Sequence, residues 1–365
     1  MKTANQHELE TGRPTMRAID FFCGAGGMSY GLMKAGIEVV AGLDLDQSCQ
    51  ATFEHNVKGA QFLAKDVTRL SVTELIEALE IKENDDSLIL TGCSPCQFWS
   101  KINTDRSKSR QSAFLLKEFA RFVIELRPGW LAIENVPGIV NKRGSVLPDF
   151  LRILGKSGYT CAHAVINLSH FGIPQTRQRF VLIANRLGIS SDLPTPLTVG
   201  PATVRSCLGK ANGFMSIKAG HRDQTSFMHT ASGLSPINLS RIEKTPTDGG
   251  KRSAWNDDPN LALRAYEGRE SQFSEVYSRM SWDKPAPTIT TRFNSFSNGR
   301  FGHPEELRAI SLREGATLQT FPKTYRFFGS MPVVARHIGN AVPPAFAKLL
   351  GQHILQKLLP AHVHG

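Results

Sequence analysis

Two cysteines, Cys93 and Cys96, bracket a Ser-Pro pair in TGCSPCQFWS (91–100). The spacing admits half a zinc site, a redox dithiol, or one nucleophile beside a bystander. A structural zinc site needs about four ligands, and the chain has neither a second C-x2-C pair nor an H-x3–5-H pair to supply them. No metal is therefore expected. A dithiol with proline between its cysteines is chemically reasonable, but a basic chain with a nucleotide-type glycine turn is a poor setting for redox work. Most free cysteines are buried and inert. One at the end of a sheet strand can instead be aimed into a cleft.

A nucleophile needs partners. WLAIENV (130–136) ends an apolar run on Glu134. Most glutamates are solvated, but a carboxyl at the end of a buried strand can be tuned for proton transfer. FGIPQTRQRFVLIAN (171–185) carries Arg177 and Arg179 into another apolar run. Alternate residues of a strand share a face, so the two guanidinium groups could grip one oxygen or anion.

A third group suggests a cofactor. DFFCGAGGMSYGL (20–32) reads as strand, tight turn and helix, with Gly24, Gly26 and Gly27 in the turn. A pyrophosphate-binding G-x-G-x-x-G would want glycine or alanine at Ser29, and no G-x-x-x-x-G-K-[ST] loop occurs. Asp44, about twenty residues on as the ribose-binding acid of such folds would be, could take the ribose hydroxyls. Asp66, ending the next apolar run, could accept from an adenine amine. The glycines alone fit a close helix–strand packing turn; with both aspartates, an adenosyl ligand lacking a pyrophosphate fits best.

These residues need strand ends to stand on. Strands are expected at 17–22, 37–44, 61–66, 87–93, 130–136 and 179–185, with helices between them. In SAFLLKEFARFVIEL (112–126), Leu115, Phe119, Phe122, Val123 and Leu126 form one helical stripe. Strands alternating with helices argue for a mostly parallel sheet covered on both faces, with its site at the carboxyl ends. From about residue 188 the texture becomes rich in Pro, Gly, Ser, Thr and Asn, a loop-rich second domain with short strands such as 286–291. A last helix, 345–359, packs back on the first domain.

The bulk composition agrees. The chain has 365 residues, a hydrophobic fraction of 41% and a charged fraction of 21%, the balance of a soluble globular protein. No apolar run approaches the ~20 residues of a membrane span, and the polar N-terminus lacks a secretory apolar segment. A net charge of +11 suggests a polyanionic partner. Six scattered cysteines do not form a secreted disulfide framework.

The motifs together resemble the DNA cytosine-5 methyltransferase family of bacterial restriction–modification type. The matching stretches are DFFCGAGG, GCSPCQFWS, ENV, FGIPQTRQR, RAISLREGATLQTFP (308–322) and HIGNAVPP (337–344), in the family's order. The resemblance implies a Rossmann-like α/β sheet of the S-adenosylmethionine-dependent kind, formed by residues 1–187 and 330–365, with a smaller target-recognition domain and hinge at 188–329. It implies Cys96 as nucleophile, Glu134 as the carboxyl at cytosine N3 and the exocyclic amine, and Arg179 at O2 with Arg177 nearby. Phe22, Gly24, Gly26, Gly27, Asp44, Leu45, Asp66, Pro95 and Asn340 match the S-adenosylmethionine pocket. Leu45 stands where some relatives have an aromatic residue stacked on adenine.

The implied substrate is duplex DNA, contacted by Gln97, Ser100, Arg241, Lys244, Lys251, Arg252, Arg292 and Arg300. Each of these basic residues, taken singly, is more often a solvated charge. A monomeric, cytoplasmic bacterial enzyme is expected, with a cognate restriction endonuclease acting separately. Three alternatives remain beside it. The tRNA-methylating offshoot of the fold has a more compact variable region, the intact Cys96, Glu134 and Arg179 set argues against a non-catalytic DNA-binding protein, and Ser29 argues against a nicotinamide oxidoreductase.

Overall fold

The computed structural model describes residues 15–93, 107–141, 144–263 and 273–359, the side chains of 107–113 and 141 excepted. Nine strands lie among the described residues: β1 Arg17–Phe21, β2 Glu38–Asp44, β3 Gln61–Ala64, β4 Leu88–Gly92, β5 Trp130–Asn135, β6 Thr160–Asn167, β7 Gln175–Thr176, β8 Gln178–Asn185 and β9 Ala286–Pro287. The helices are α1 Gly27–Ala35, α2 Gln50–Asn56, α3 Val72–Leu79, α4 Ser107–Leu126, α5 Gly138–Asn141, α6 Leu147–Lys156, α7 Val204–Cys207, α8 Pro236–Lys244, α9 Leu312–Leu318, α10 Met331–Asn340 and α11 Pro344–Lys357.

Seven strands form one sheet in the order β3-β2-β1-β4-β5-β8-β6. The pairs from β3 to β5 are parallel, while β8 runs antiparallel to both of its neighbours. The mostly parallel expectation thus holds up to β5. β6 is an addition: it lies at the sheet edge and none of its residues is fully buried.

Strand alternation divides the sheet's side chains between two cores. Ile19, Phe21, Leu88, Leu90, Leu131 and Ile133 meet α3, α4 and α6, where the expected stripe of Phe119, Phe122, Val123 and Leu126 is buried. Ala18, Ile89, Trp130, Ala132, Val181 and Ile183 face the other way, against α1, α2 and α11. Helices α1 and α11 pack so closely that a Cβ on Gly31 would lie 2.4 Å from both Ala347 Cβ and Pro344 O. Glycine is the residue that permits this approach.

Beyond the sheet, a third apolar cluster unites Phe293, Phe321 and Tyr325 with Val334 and Ile338 of α10, and a fourth surrounds Trp255 and Tyr277. Within 286–291 only Ala286 and Pro287 pair as a strand, parallel to β7. The segment 188–305 also contains α7 and α8, which its loop-like composition did not suggest.

Candidate active site

Glu134 is placed by β5. It shares a face with Trp130 and Ala132, one step beyond the last apolar residue on that side, and is 1% exposed. The β4–β5 register pairs Gly92 with Ile133, which brings Cys93, just past β4, beside Glu134. Cys93 Sγ lies 2.7 Å from Glu134 Oε2. From the other side, β8 pairs Val181 with Glu134, and Arg179, two residues earlier on the same face, reaches diagonally across. Its Nε lies 2.7 Å from Glu134 Oε1, a close ion pair rather than a directed hydrogen bond.

Arg177 departs from expectation. The chain breaks stride between β7 and β8, so it does not continue Arg179's face. Its buried guanidinium donates to Ile289 O (3.1 Å) and Ala341 O (3.2 Å). It joins the sheet to two distant segments, although part of it still borders the cavity described next.

Glu134, Arg179 and Cys93 open onto a cavity of about 1210 Å³ also lined by Phe22, Gly24, Asp44, Arg292, Asn294 and Asn340. That volume exceeds the few hundred to roughly 1,000 Å³ of ordinary ligand pockets, so a nucleoside-sized cofactor and a base can share it. Asp44 accepts from Gly24 N and Asp46 N, each at 2.8 Å. Burial pushes its carboxyl above the usual range, and those two donors oppose the shift. Gly24 has a φ of +51° and nothing within 4 Å of where a Cβ would stand. Phe22 adopts a φ of +60°, rare for a residue with a side chain, and such strain gathers at functional sites. An open glycine wall beside a strand-end carboxylate fits an adenosyl ligand.

Other expected cofactor residues are not among the described residues lining this cavity. Gly26 and Gly27 are buried packing glycines: a Cβ on Gly26 would crowd Phe53, Val57 and Tyr325, and one on Gly27 would sit 2.4 Å from Val342 O. Asp66 lies two residues past β3, where its Oδ1 accepts from Thr68 N (2.9 Å) and Thr68 Oγ1 (2.8 Å). Leu45 is 71% exposed, and neither it nor Asp66 is among the described residues lining the cavity. Pro95, Cys96, Gln97 and Ser100 lie outside the described residues.

Asp20 was missed in the sequence. It accepts from Ser29 Oγ (2.6 Å), Ser29 N (3.2 Å) and Thr91 Oγ1 (2.8 Å). This explains why a serine breaks the glycine fingerprint: Ser29 pins the start of α1 to the end of β1. Burial raises the Asp20 carboxyl to about 6, with Ser29 and Thr91 opposing. The only available signal was parity, since Asp20 continues the Ala18 face. His337 was also missed, and its imidazole is held neutral by burial, down to about 4. It meets Ser48 Oγ at 3.1 Å, and Ser48 in turn donates to Asp46, the ion-pair partner of Arg336. Ligand atoms of Asp46, Cys49 and His337 lie within 4.8 Å of one another. Because Arg336 and Ser48 already occupy the Asp46 carboxylate, the group reads as a hydrogen-bonded strut between β2 and α10.

The basic DNA candidates divide sharply. Arg241 is buried, donates to Leu261 O (2.9 Å) and stacks near Trp255 and Tyr277, so it is a structural residue. Arg252 is buried as well. Lys244 pairs with Asp258, and Lys251 and Arg300 share Glu275. Arg292, by contrast, is exposed on the cavity wall.

An open α/β sheet with a glycine turn, a strand-end acid and a polar triad in one cavity fits a methyltransferase. The family model for C-5 cytosine-specific DNA methylases matches residues 16–356. The Type II methylase M.HgiDII of Herpetosiphon aurantiacus is 39% identical over 94% of this chain and 96% of its own. DNA (cytosine-5)-methyltransferase 1 of Mus musculus is 26% identical over 95% of this chain but only 28% of its own. Among solved structures, a prophage-encoded E. coli chain described as a DNA modification methyltransferase superposes with a TM-score of 0.73 at 21% identity, covering 94% of this chain and 99% of that one. The chain belongs to the C-5 cytosine-specific DNA methylases and is a DNA (cytosine-5)-methyltransferase.

Proposed function

We propose that this enzyme methylates C5 of a cytosine flipped out of duplex DNA at a specific sequence, through a covalent bond between Cys96 and C6. The observation that carries this reading is the buried Glu134 carboxylate, held by Arg179 in the cavity that Asp44 also borders. Cytosine C5 is a poor nucleophile. Addition of the Cys96 thiolate at C6 pushes electron density onto C5 and toward N3; a proton shared between Glu134 and N3 neutralises the charge there, while the carboxyl accepts from the exocyclic amine. S-adenosylmethionine would be held by Phe22, Gly24, Asp44 and Asn340 and would supply the electrophilic methyl group, with S-adenosylhomocysteine as the leaving group. After C5 is methylated, a base removes its proton and the C6–S bond breaks, which releases Cys96. Flipping the base costs a few kcal/mol, and phosphate contacts help to offset it. Among the described residues, Arg292, exposed on the cavity wall, is well placed for such contacts. Residues 188–329 are proposed to read the site.

The Type II name of the Herpetosiphon relative supports a restriction–modification setting. Duplex DNA bearing 5-fluorocytosine, whose fluorine cannot leave as a proton does, tests the chemistry. Wild-type protein with methyl donor is expected to form a denaturation-resistant complex and Cys96→Ala none. Full trapping by Cys96→Ala would place the nucleophile elsewhere. Bisulfite sequencing of DNA from expressing cells reads the recognised site, and methyl label entering tRNA alone would overturn the DNA substrate.

A further inference from the structure

The Cys93 thiol takes no part in the chemistry just described, yet it touches the carboxylate at its centre. Register fixes the contact: β4 and β5 are parallel neighbours, so the residue after Gly92 stands beside the residue after Ile133. Cys93 N is anchored to Phe21 O at 3.3 Å, and Sγ lies 2.7 Å from Glu134 Oε2 while Arg179 Nε lies 2.7 Å from Oε1. In that contact the thiol S–H donates and the Glu134 oxygen accepts.

We infer that Cys93 is a positioning residue for Glu134, its S–H fixing Oε2 as Arg179 fixes Oε1. A carboxylate has about four lone-pair sites. One site on Oε2 is taken by the thiol and Oε1 lies against the Arg179 guanidinium, which leaves sites for the exocyclic amine of a cytosine and for a proton shared with its N3. Without the thiol, the carboxylate is restrained at one oxygen only and samples orientations that do not meet the base. The metal-like spacing of Cys93 and Cys96 then has a different meaning: one thiol aims the carboxyl, and the other is proposed to attack the ring.

The inference rests on the proposed role of Glu134, so the experiment carries Glu134→Gln beside the Cys93 variants. Cys93→Val keeps comparable bulk without a donor, whereas Cys93→Ser keeps a donor. Steady-state methylation of duplex DNA is measured for each, with thermal melting and S-adenosylhomocysteine binding as checks of the fold. Loss of one weak hydrogen bond to a charged group predicts that Cys93→Val lowers kcat about fivefold, with KM for DNA and methyl donor changed less than about twofold. Cys93→Ser is expected to recover most of that loss. Wild-type kcat in Cys93→Val, or equal loss in the Val and Ser variants with melting unchanged, would overturn the inference. Full activity in Glu134→Gln would instead overturn the role of Glu134 itself.

Discussion

Arg177 and Arg179 stand two positions apart and do different work. Arg179 pairs with Glu134, while Arg177 is a buried clasp on the carbonyls of Ile289 and Ala341. Their substitutions should therefore separate activity from stability. Arg179→Met is expected to lower kcat about a hundredfold, in the range for a disturbed proton-transfer group, with little change in melting. Arg177→Met leaves the Ile289 carbonyl without its donor, while Ala341 O keeps Gln319 Nε2 at 2.8 Å, and should cost about 1–3 kcal/mol of stability. Urea unfolding alongside initial methylation rates makes the comparison. Equal rate losses with equal unfolding midpoints would show that both arginines act on the reaction.

At the scale of elements, the site depends on helix α11 being pressed against α1. Gly31 allows that contact, and Asn340, which borders the cavity, precedes α11 by a short turn. Gly31→Ala puts a methyl group where Pro344 O and Ala347 already stand, so α11 must move. Overpacking of this kind costs about 1–3 kcal/mol. The displacement should also weaken S-adenosylhomocysteine binding, read by calorimetry, more than it weakens DNA binding. Unchanged cofactor affinity would show that Asn340 is positioned independently of α11.

For the molecule as a whole, the net charge of +11 overstates what faces DNA. Besides Arg177 and Arg241, Arg279 lies buried among the carbonyls of Ile242, Thr245, His303 and Glu306, and burial lowers it to about 10. Arg308 forms a fully buried two-pronged pair with Glu314, at 2.6 and 2.8 Å. Arg308 holds the Glu314 carboxyl down at about 2, against the opposing effect of burial. A depressed folded value means stability that is present above the unfolded value of 4.5 and lost as pH falls toward 2. Arg308→Met should cost about 3–5 kcal/mol at neutral pH by stranding a buried charge. Between pH 4.5 and 2 the gap between variant and wild type should close, because the carboxyl becomes neutral in both. Urea midpoints across that range test this, and a constant gap would count against the pair as the origin of the acid dependence.

The sequence by itself determined six of the sheet's seven strands, since those are largely apolar runs whose residue types and alternation are local properties. It also marked Glu134 and Arg179, because a charged residue ending an apolar run stands out. β6, with its patchy burial, and Asp20, a single acid in an ordinary strand, had no local signal strong enough to read. Only the tertiary structure decided which polar groups meet. The β4–β5 register set Cys93 against Glu134, the break before β8 turned Arg177 away, and Asp20 drew in Ser29. It also decided which arginines remain open to a phosphate and which are enclosed by carbonyls. These are matters of strand register and long-range packing, and they arise between residues far apart in the chain.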